Sequence, residues 1–245
     1  MNYALAALEF AMDDDHGKAT LPPTDSAALA AFAAHCAHDF NNLLTGILGN
    51  LELMQNRARR DKVTAFDGYL DGARHAAGRA ADFSQRLLAL SGRTAGDPVA
   101  VPVNQLARDI VDLLREQGVD VVAELHSQVG MAFCDPAQLE LALQELLTNA
   151  RDAISEGGVM SLTTHPLPGA IRITVSNTGT VMTPAVLARA CEPFFTTRPG
   201  GAGKGLGLPI VAHFVQQVGG SMTIDSVDGK FTRVALVLPS SKTGN

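Results

Sequence analysis

The chain has 245 residues, 46% of them hydrophobic, 18% charged and 5% aromatic, with no Trp, enough to bury the core of one large domain or two small ones. Its net charge of -6 leaves no basic footprint for nucleic acid. Although the mean hydropathy lies just above zero, no apolar run reaches the roughly 18 residues a membrane span needs. Met1 to Phe10 is apolar but lacks a basic lead-in and runs into Asp13, Asp14 and Asp15, which makes it a poor secretory signal. The reading is a cytoplasmic protein with neither membrane insertion nor nucleic acid partner. Cys36, Cys134 and Cys191 are far apart and without CxxC spacing, so buried or half-buried thiols are expected rather than a disulfide framework or a zinc site.

Residues 1–25 read as a leader, in which Pro22-Pro23 breaks any earlier helix and Thr24-Asp25-Ser26 offers N-caps for the helix after it. From Ser26 to about Arg59, Leu29, Phe32, Cys36, Phe40, Leu43, Ile47, Leu51 and Met54 step by three and four, the period of a long amphipathic helix. After a polar break at Asn56 to Asp61, the series Val63, Phe66, Leu70, Ala73, Ala77, Ala80, Phe83, Leu87 and Leu90 repeats the pattern. Two helices joined this tightly make an antiparallel hairpin, and two such hairpins pair into a four-helix bundle that covers both apolar stripes.

Ser91 to Pro98, with Gly, small polar residues and Pro, reads as an interdomain linker. The first domain therefore spans 26–92 and the second 99–240. In the second, a helix over Asn104 to Gln117 and a β-branched run at Val119 to Leu125 precede a helix that Asp135-Pro136 starts and that runs to about Ile154. Strands follow at Val159 to His165 and Ile171 to Val175, then a Gly-rich loop and a helix near Leu206 to Val218. Strands at Ser221 to Ser226 and Phe231 to Leu238, joined through Asp228-Gly229, close the chain. The fold class is α+β, an N-terminal helical hairpin followed by an α/β sandwich with helices on one face of a mixed sheet.

Four constellations stand out, although the first three, each taken alone, also read as an ordinary helix face or a plain turn. His38-Asp39-Phe40-Asn41-Asn42 lies on the first long helix, where His38 and Asn42 are one turn apart on one face. A carboxylate beside an imidazole holds its tautomer and makes the other nitrogen a better nucleophile. His35, one turn earlier, has no further ligand with which to build a metal site. Glu145 and Asn149 are one turn apart on a later helix, and Asn149 offers an oxygen to a hard cation that also touches phosphate. Asn177-Thr178-Gly179-Thr180 follows a strand as a turn in which Gly lets backbone approach a ligand. Gly200 to Leu208 contains Lys204 and opens a helix, an arrangement whose backbone amides bind anions. Arg198 and Gly205 stand where a Walker A loop needs Gly and Ser or Thr, and no strand precedes the loop as a dinucleotide fingerprint requires.

Together these segments resemble the boxes of bacterial sensor histidine kinases. His38 to Leu44 resembles the H-box, Glu145 to Ala153 the N-box, Asn177 to Gly179 the G1 box, Glu192 to Thr197 the F-box and Gly201 to Leu208 the G2 box. The resemblance, over roughly Ala28 to Pro239, implies a dimerisation and histidine-phosphotransfer hairpin followed by an ATP-binding domain of the gyrase, chaperone and kinase superfamily. Carried over, it makes His38 the phosphoacceptor, Asp39 its base or orienting partner, and Asn42 the residue that positions water for dephosphorylating a partner's aspartyl phosphate. Glu145 becomes a polar helper near the γ-phosphate and Asn149 a magnesium ligand. Asn177 and Thr232 face the adenine. Asp152, Gly179, Thr197, Lys204, Gly205, Leu206, Gly207 and Leu208 complete the nucleotide site, with Thr196 to Gly205 as a mobile lid.

The implied activity is autophosphorylation of His38 from ATP with Mg2+, followed by transfer to an Asp of a response regulator receiver domain, in a homodimer, by in-line phosphoryl transfer. Two residues depart from the family pattern: Asn177 and Val181 stand where Asp and Gly are usual. The first replaces a charge-assisted bond to the adenine amine with a weaker neutral one, and the second stiffens a turn. Two other readings arise from these departures and from the lack of a recognisable sensor segment. One is a histidine phosphotransferase with a degenerate ATP-binding domain that relays phosphate between receivers. The other is a non-catalytic dimeric scaffold.

Overall fold

The computed structural model describes residues 19–20, 27–60, 67–91, 96–154, 158–198, 205–227 and 230–240, with backbone only for 19–20, 27–39, 42–43 and 69. The Pro22-Pro23 break, the Thr24 to Ser26 caps, Val63, Phe66, residues 92–95 of the expected linker, Lys204 and Asp228-Gly229 lie outside the described residues, as do the side chains of His38, Asp39 and Asn42. The chain divides into two compact units, one over Thr24–Thr94 and the other over Met1–Pro23 with Ala95–Asn245.

The first unit is a pair of helices, α1 (Ala27–Arg60) and α2 (Asp67–Leu90). Helix α1 ends at Arg60, as the expected end near Arg59 has it, and takes in most of the polar residues read as the break. Arg57, Arg59 and Arg60 occupy its last turn, where cationic side chains complement the negative end of the helix dipole and straight-chain residues cost little in propensity. Arg74 Nη1 donates to Gln55 Oε1. Because Gln55 precedes the connection and Arg74 follows it by similar distances, this pairing is that of an antiparallel hairpin. Leu44, Leu70, Ala77 and Ala89 are buried between the helices. Phe40, Ile47 and Met54 are 47%, 49% and 59% exposed. Their seven-residue spacing places all three on one stripe, which a single hairpin leaves uncovered.

The second unit contains a six-stranded sheet in the order β1-β7-β8-β6-β5-β3 and a two-stranded sheet of β2 and β4. The strands are β1 (Ala19–Thr20), β2 (Val99–Pro102), β3 (Val122–Leu125), β4 (Met131–Cys134), β5 (Met160–Leu167), β6 (Ala170–Asn177), β7 (Ser221–Val227) and β8 (Phe231–Pro239). The helices are α3 (Val103–Glu116), α4 (Pro136–Ala153), a single turn α5 (Pro184–Leu187) and α6 (Gly207–Gln217). All pairings are antiparallel except β3 with β5, so the sheet is mixed as expected. Sequence reading finds neither β2 with β4 nor β1, because strands of two to four residues are too short for a period to register. It also ends β6 two residues early, since Ser176 and Asn177 are poor strand formers.

One face of the large sheet is apolar. Ile171, Ile173 and Val175 alternate along β6 and Val234, Leu236 and Leu238 along β8, all buried. Against them pack Ala107, Ile110 and Val111 of α3, Leu139, Leu143, Leu146 and Leu147 of α4, and Val211, Phe214 and Val215 of α6. Each fully buried leucine there contributes about 1.5–3 kcal/mol. Cys134 is buried and Cys191 half-buried, and burial pushes their thiols up to about 11 and about 12. Neither is a nucleophile at neutral pH.

Helix α4 begins where Asp135 caps it: its Oδ1 accepts from Ala137 N at 2.9 Å and its Oδ2 from Gly96 N at 2.5 Å. One carboxylate thus starts the helix that carries Glu145 and Asn149 and ties down the segment entering the unit. Asp135→Ala is expected to lower stability by about 1–3 kcal/mol, measured by urea denaturation, with Asp135→Asn recovering part of the loss.

Candidate functional site

The apolar series of β6 ends in Asn177, which shares its face with Ile171, Ile173 and Val175 and points to the helix side of the sheet. Beside it in register stands Thr232 of β8. Both are buried, at 4% and 6% exposure. Thr232 Oγ1 lies 2.8 Å from Ser226 Oγ, which also accepts from Met182 N at 2.8 Å. Asn177 Nδ2 is buried and has no hydrogen-bond partner among the described residues. Such a donor costs about 1–3 kcal/mol unless something pairs with it, and a ligand with a hydrogen-bonding edge would pair with it here.

The turn after Asn177 is stitched to α4. Thr178 N donates to Val159 O at 2.9 Å, Val159 N to Thr178 Oγ1 at 2.8 Å, and Thr180 N to Ala153 O at 2.8 Å. A Cβ on Gly179 would sit 2.2 Å from Ala153 O. Only glycine lets this turn close on the end of α4, and that approach brings Asn177 to the helix bearing Asn149. Val181, expected to stiffen the turn, is not among the residues with positive φ, so the backbone there suits a β-branched residue without strain.

The other wall is the start of α6. A Cβ on Gly207 would lie 2.9 Å from both Asn149 Nδ2 and Glu145 Oε2. The N-terminus of α6 therefore abuts the polar face of α4, and Leu206, its N-cap residue, supplies no side-chain cap. The leading N–H groups and the positive end of the dipole are left to an anion. Leu206 and Leu208 are buried, so in this structure they anchor the helix, while Gly205 and Gly207 provide the close approaches.

Gly205 has φ +65 and would clash through a Cβ with Phe194 C at 2.5 Å. Phe194 itself has φ 68, and its N–H donates to Gly205 O at 2.8 Å. A left-handed Phe costs about 1–3 kcal/mol, so the F-box turn and the entry to α6 hold each other. Arg189 lies 4.1 Å from the Phe195 ring centroid and bonds Glu192 at 2.8 Å, which further fixes this turn.

Arg198 reaches the same place, although sequence reading gave it no role of its own. Its Nη1 bonds Asp152 Oδ2 at 2.5 Å and its Nη2 lies 3.3 Å from Asn149 Oδ1. Arg151 bonds the other Asp152 oxygen at 3.2 Å. Two guanidiniums thus flank one carboxylate beside Asn149. No local spacing signals a pair separated by 46 positions. Thr197 is exposed beside Arg198. Among the described residues no cluster of His, Cys, Asp and Glu could hold a metal by itself. The fit to a cation is of another kind, since Asn149 Oδ1 already faces a cationic group, which is the chemistry of a hard oxygen ligand completed by phosphate oxygens and water.

Thus Glu145, Asn149, Asp152, Asn177, Gly179, Gly205, Leu206, Gly207, Leu208 and Thr232 all sit where α4, α6 and the ends of β6 and β8 meet. His38, Asp39 and Asn42 lie on α1 in the other unit.

Residues 134–242 match the family described as histidine kinase-, DNA gyrase B-, and HSP90-like ATPase. The chain is 33% identical over 230 residues to the sensor kinase CckA of Brucella abortus, covering 86% of this chain and 24% of that protein. It is 29% identical over 224 residues to the sensor histidine kinase ZraS of Escherichia coli strain K12, covering 88% and 46%. It therefore spans between about a quarter and a half of these curated relatives. Among solved structures, full-length ShkA in complex with AMPPNP superposes with a TM-score of 0.71 at 23% identity, over 88% of this chain and 47% of that one. Histidine kinase ThkA in complex with the response regulator TrrA gives 0.58 at 21%, over 87% and 62%. At these identities the likeness is one of fold. No helix among the described residues is long and apolar enough to cross a membrane.

Because the atoms facing Gly207 are side-chain ends that can move aside, Gly207→Ala is expected to fold, with a melting temperature within about 4 °C of wild type. Pushing Asn149 and Glu145 apart should nonetheless weaken binding of a nucleoside triphosphate at least about tenfold, read by calorimetry.

Proposed function

Since residues 134–242 are a domain of the histidine kinase-, DNA gyrase B-, and HSP90-like ATPases, we propose that the chain is the catalytic core of a two-component histidine kinase. It binds ATP at the α4–α6 site, phosphorylates His38 and passes the phosphoryl group to an Asp of a response regulator. The observation that carries this reading is the convergence of Glu145, Asn149 and the start of α6, a close approach that the missing Cβ of Gly207 permits.

In the transfer, a nitrogen of the His38 imidazole attacks the γ-phosphorus in line. The N–P bond forms as the bond to the ADP oxygen breaks, and Asp39 holds the ring and takes up its proton. Bound Mg2+ would neutralise charge on the phosphates, with Asn149 Oδ1 as its protein ligand. The α6 N-terminus offers backbone N–H groups to the phosphates, and Arg198 and Arg151 supply the positive potential that draws them in. Glu145 lies beside the γ-phosphate end, and Asn177 and Thr232 face the base. Lys204 adds a cation three positions ahead of α6 in sequence. Asn42, one turn from His38, is suited to orient water for dephosphorylating the regulator.

The uncovered Phe40, Ile47 and Met54 stripe supports a homodimer in which two hairpins form a four-helix bundle. Placing a carboxylate on that stripe should break it: Ile47→Glu is expected to sediment as a monomer. A dimer that persists in that variant rejects the bundle.

Incubation with γ-labelled ATP and Mg2+ tests the kinase reading. Acid-labile, base-stable label on wild type is expected, with none on His38→Ala and at least about a hundredfold less on Asn149→Ala. The phosphotransferase alternative rests on Asn177 replacing the usual Asp. It requires that no ATP binds while His38 takes label from a phosphorylated receiver.

A further inference from the structure

The nucleotide-binding reading leaves one feature of the site unexplained. At the position where the resembling kinases use a carboxylate to recognise adenine, this chain buries a neutral amide whose donor has no partner among the described residues. We propose that Asn177 makes the site a general purine site, which takes 6-oxopurine nucleotides such as GTP as well as ATP. This inference rests on the nucleotide reading above and specifies its base recognition.

The Watson–Crick edge of adenine offers a donor at the 6-amino group beside an acceptor at N1. The same edge of guanine or hypoxanthine offers the reverse, an acceptor at O6 beside a donor at N1. An ionised carboxylate has acceptors only, so it pairs with the adenine amine but sets oxygen against oxygen at O6. In a buried site that mismatch is costly, since neither group can turn to water. A carboxamide has one acceptor and one donor on the same planar group. Asn177 Oδ1 can accept from the adenine amine while Nδ2 donates to N1. After a half-turn of the amide, Nδ2 donates to O6 and Oδ1 accepts from N1–H. Each purine then makes two bonds, and the orphaned Nδ2 is satisfied by both.

The surroundings agree with this indifference. In register beside Asn177 are Met160 of β5 and Thr232 of β8, both without charge. The Thr232 hydroxyl is paired with that of Ser226 at 2.8 Å, with either able to donate, so this couple also reverses its polarity at little cost. The carboxylate of Asp225 stands opposite Arg233 in the β7–β8 register. Arg233 is one residue out of step with the inward-facing Thr232 and Val234, so this charged pair lies on the other face of the sheet. Nothing among these neighbours imposes the acceptor-only pattern that selects adenine. The replacement of Asp therefore changes specificity, and the loss of a charge-assisted bond is offset by a second neutral one.

The test is calorimetric titration of the full chain with ATP, GTP and ITP in the presence of Mg2+. ITP carries the 6-oxo edge without the guanine 2-amino group. The expected result is that ATP and at least one 6-oxopurine triphosphate bind wild type within about tenfold of each other. Asn177→Asp is expected to keep ATP and to lose GTP and ITP by about a hundredfold, with its thermal melt checked beside the titration. ATP binding with exclusion of both GTP and ITP overturns the proposal and leaves the kinase reading standing. So does a folded Asn177→Asp protein that shifts all three nucleotides alike. No binding of any of the three overturns both. If Asn177→Asp does not fold, the wild-type ratio alone decides.

Discussion

The N-terminus of α6 presses on the polar face of α4 so closely that a methyl group at position 207 would stand 2.9 Å from Asn149 Nδ2 and Glu145 Oε2 and would have to push both side-chain ends aside. The remaining geometry is built around that approach. Phe214 and Val215 of α6 and Leu143, Leu146 and Leu147 of α4 pack on one sheet face. The polar ends of the two helices are thereby forced together at the end of the sheet where β6 and β8 present Asn177 and Thr232. The apolar core thus aims the site: burial is non-directional in itself, but close packing converts it into fixed positions for a few polar groups.

Charge is handled at the same place. Asp152 lies between Arg151 and Arg198, and Arg198 also faces Asn149. These pairs are partly exposed and contribute little to stability. Their consequence is local, since the guanidinium of Arg198 is held next to the helix end whose N–H groups await an anion. A guanidinium is a planar fork that suits a bidentate oxyanion. The left-handed Phe194 hydrogen-bonded to Gly205 holds the turn from which Arg198 projects, and its strain is sustained by packing elsewhere.

The hairpin obeys a different rule. Its interior is made of small and medium residues such as Leu44, Leu70, Ala77 and Ala89. Its stripe of Phe40, Ile47 and Met54 is exposed among the described residues. The hairpin and the sheet unit are separate compact units.

Periodicity over seven to nine positions is enough to find α1, α2 and the long strands, and the Asp135-Pro136 pair is enough to start α4, because those signals are local. β2, β4 and α5 are hidden by brevity. The box residues are legible as types and spacings, since Glu145, Asn149, Asn177 and the Gly-rich run each carry chemistry in their side chains or in the lack of one. What only the tertiary structure decides is which of them meet. Arg198 reaches Asp152 and Asn149 across 46 and 49 positions, Gly207 fits because α6 crosses α4 where it does, and Val181 is tolerated because its φ is ordinary. Sequence determines which residues can bind, donate or turn; long-range packing determines which share a site, because contacts across many residues depend on how the whole core closes and leave no local pattern.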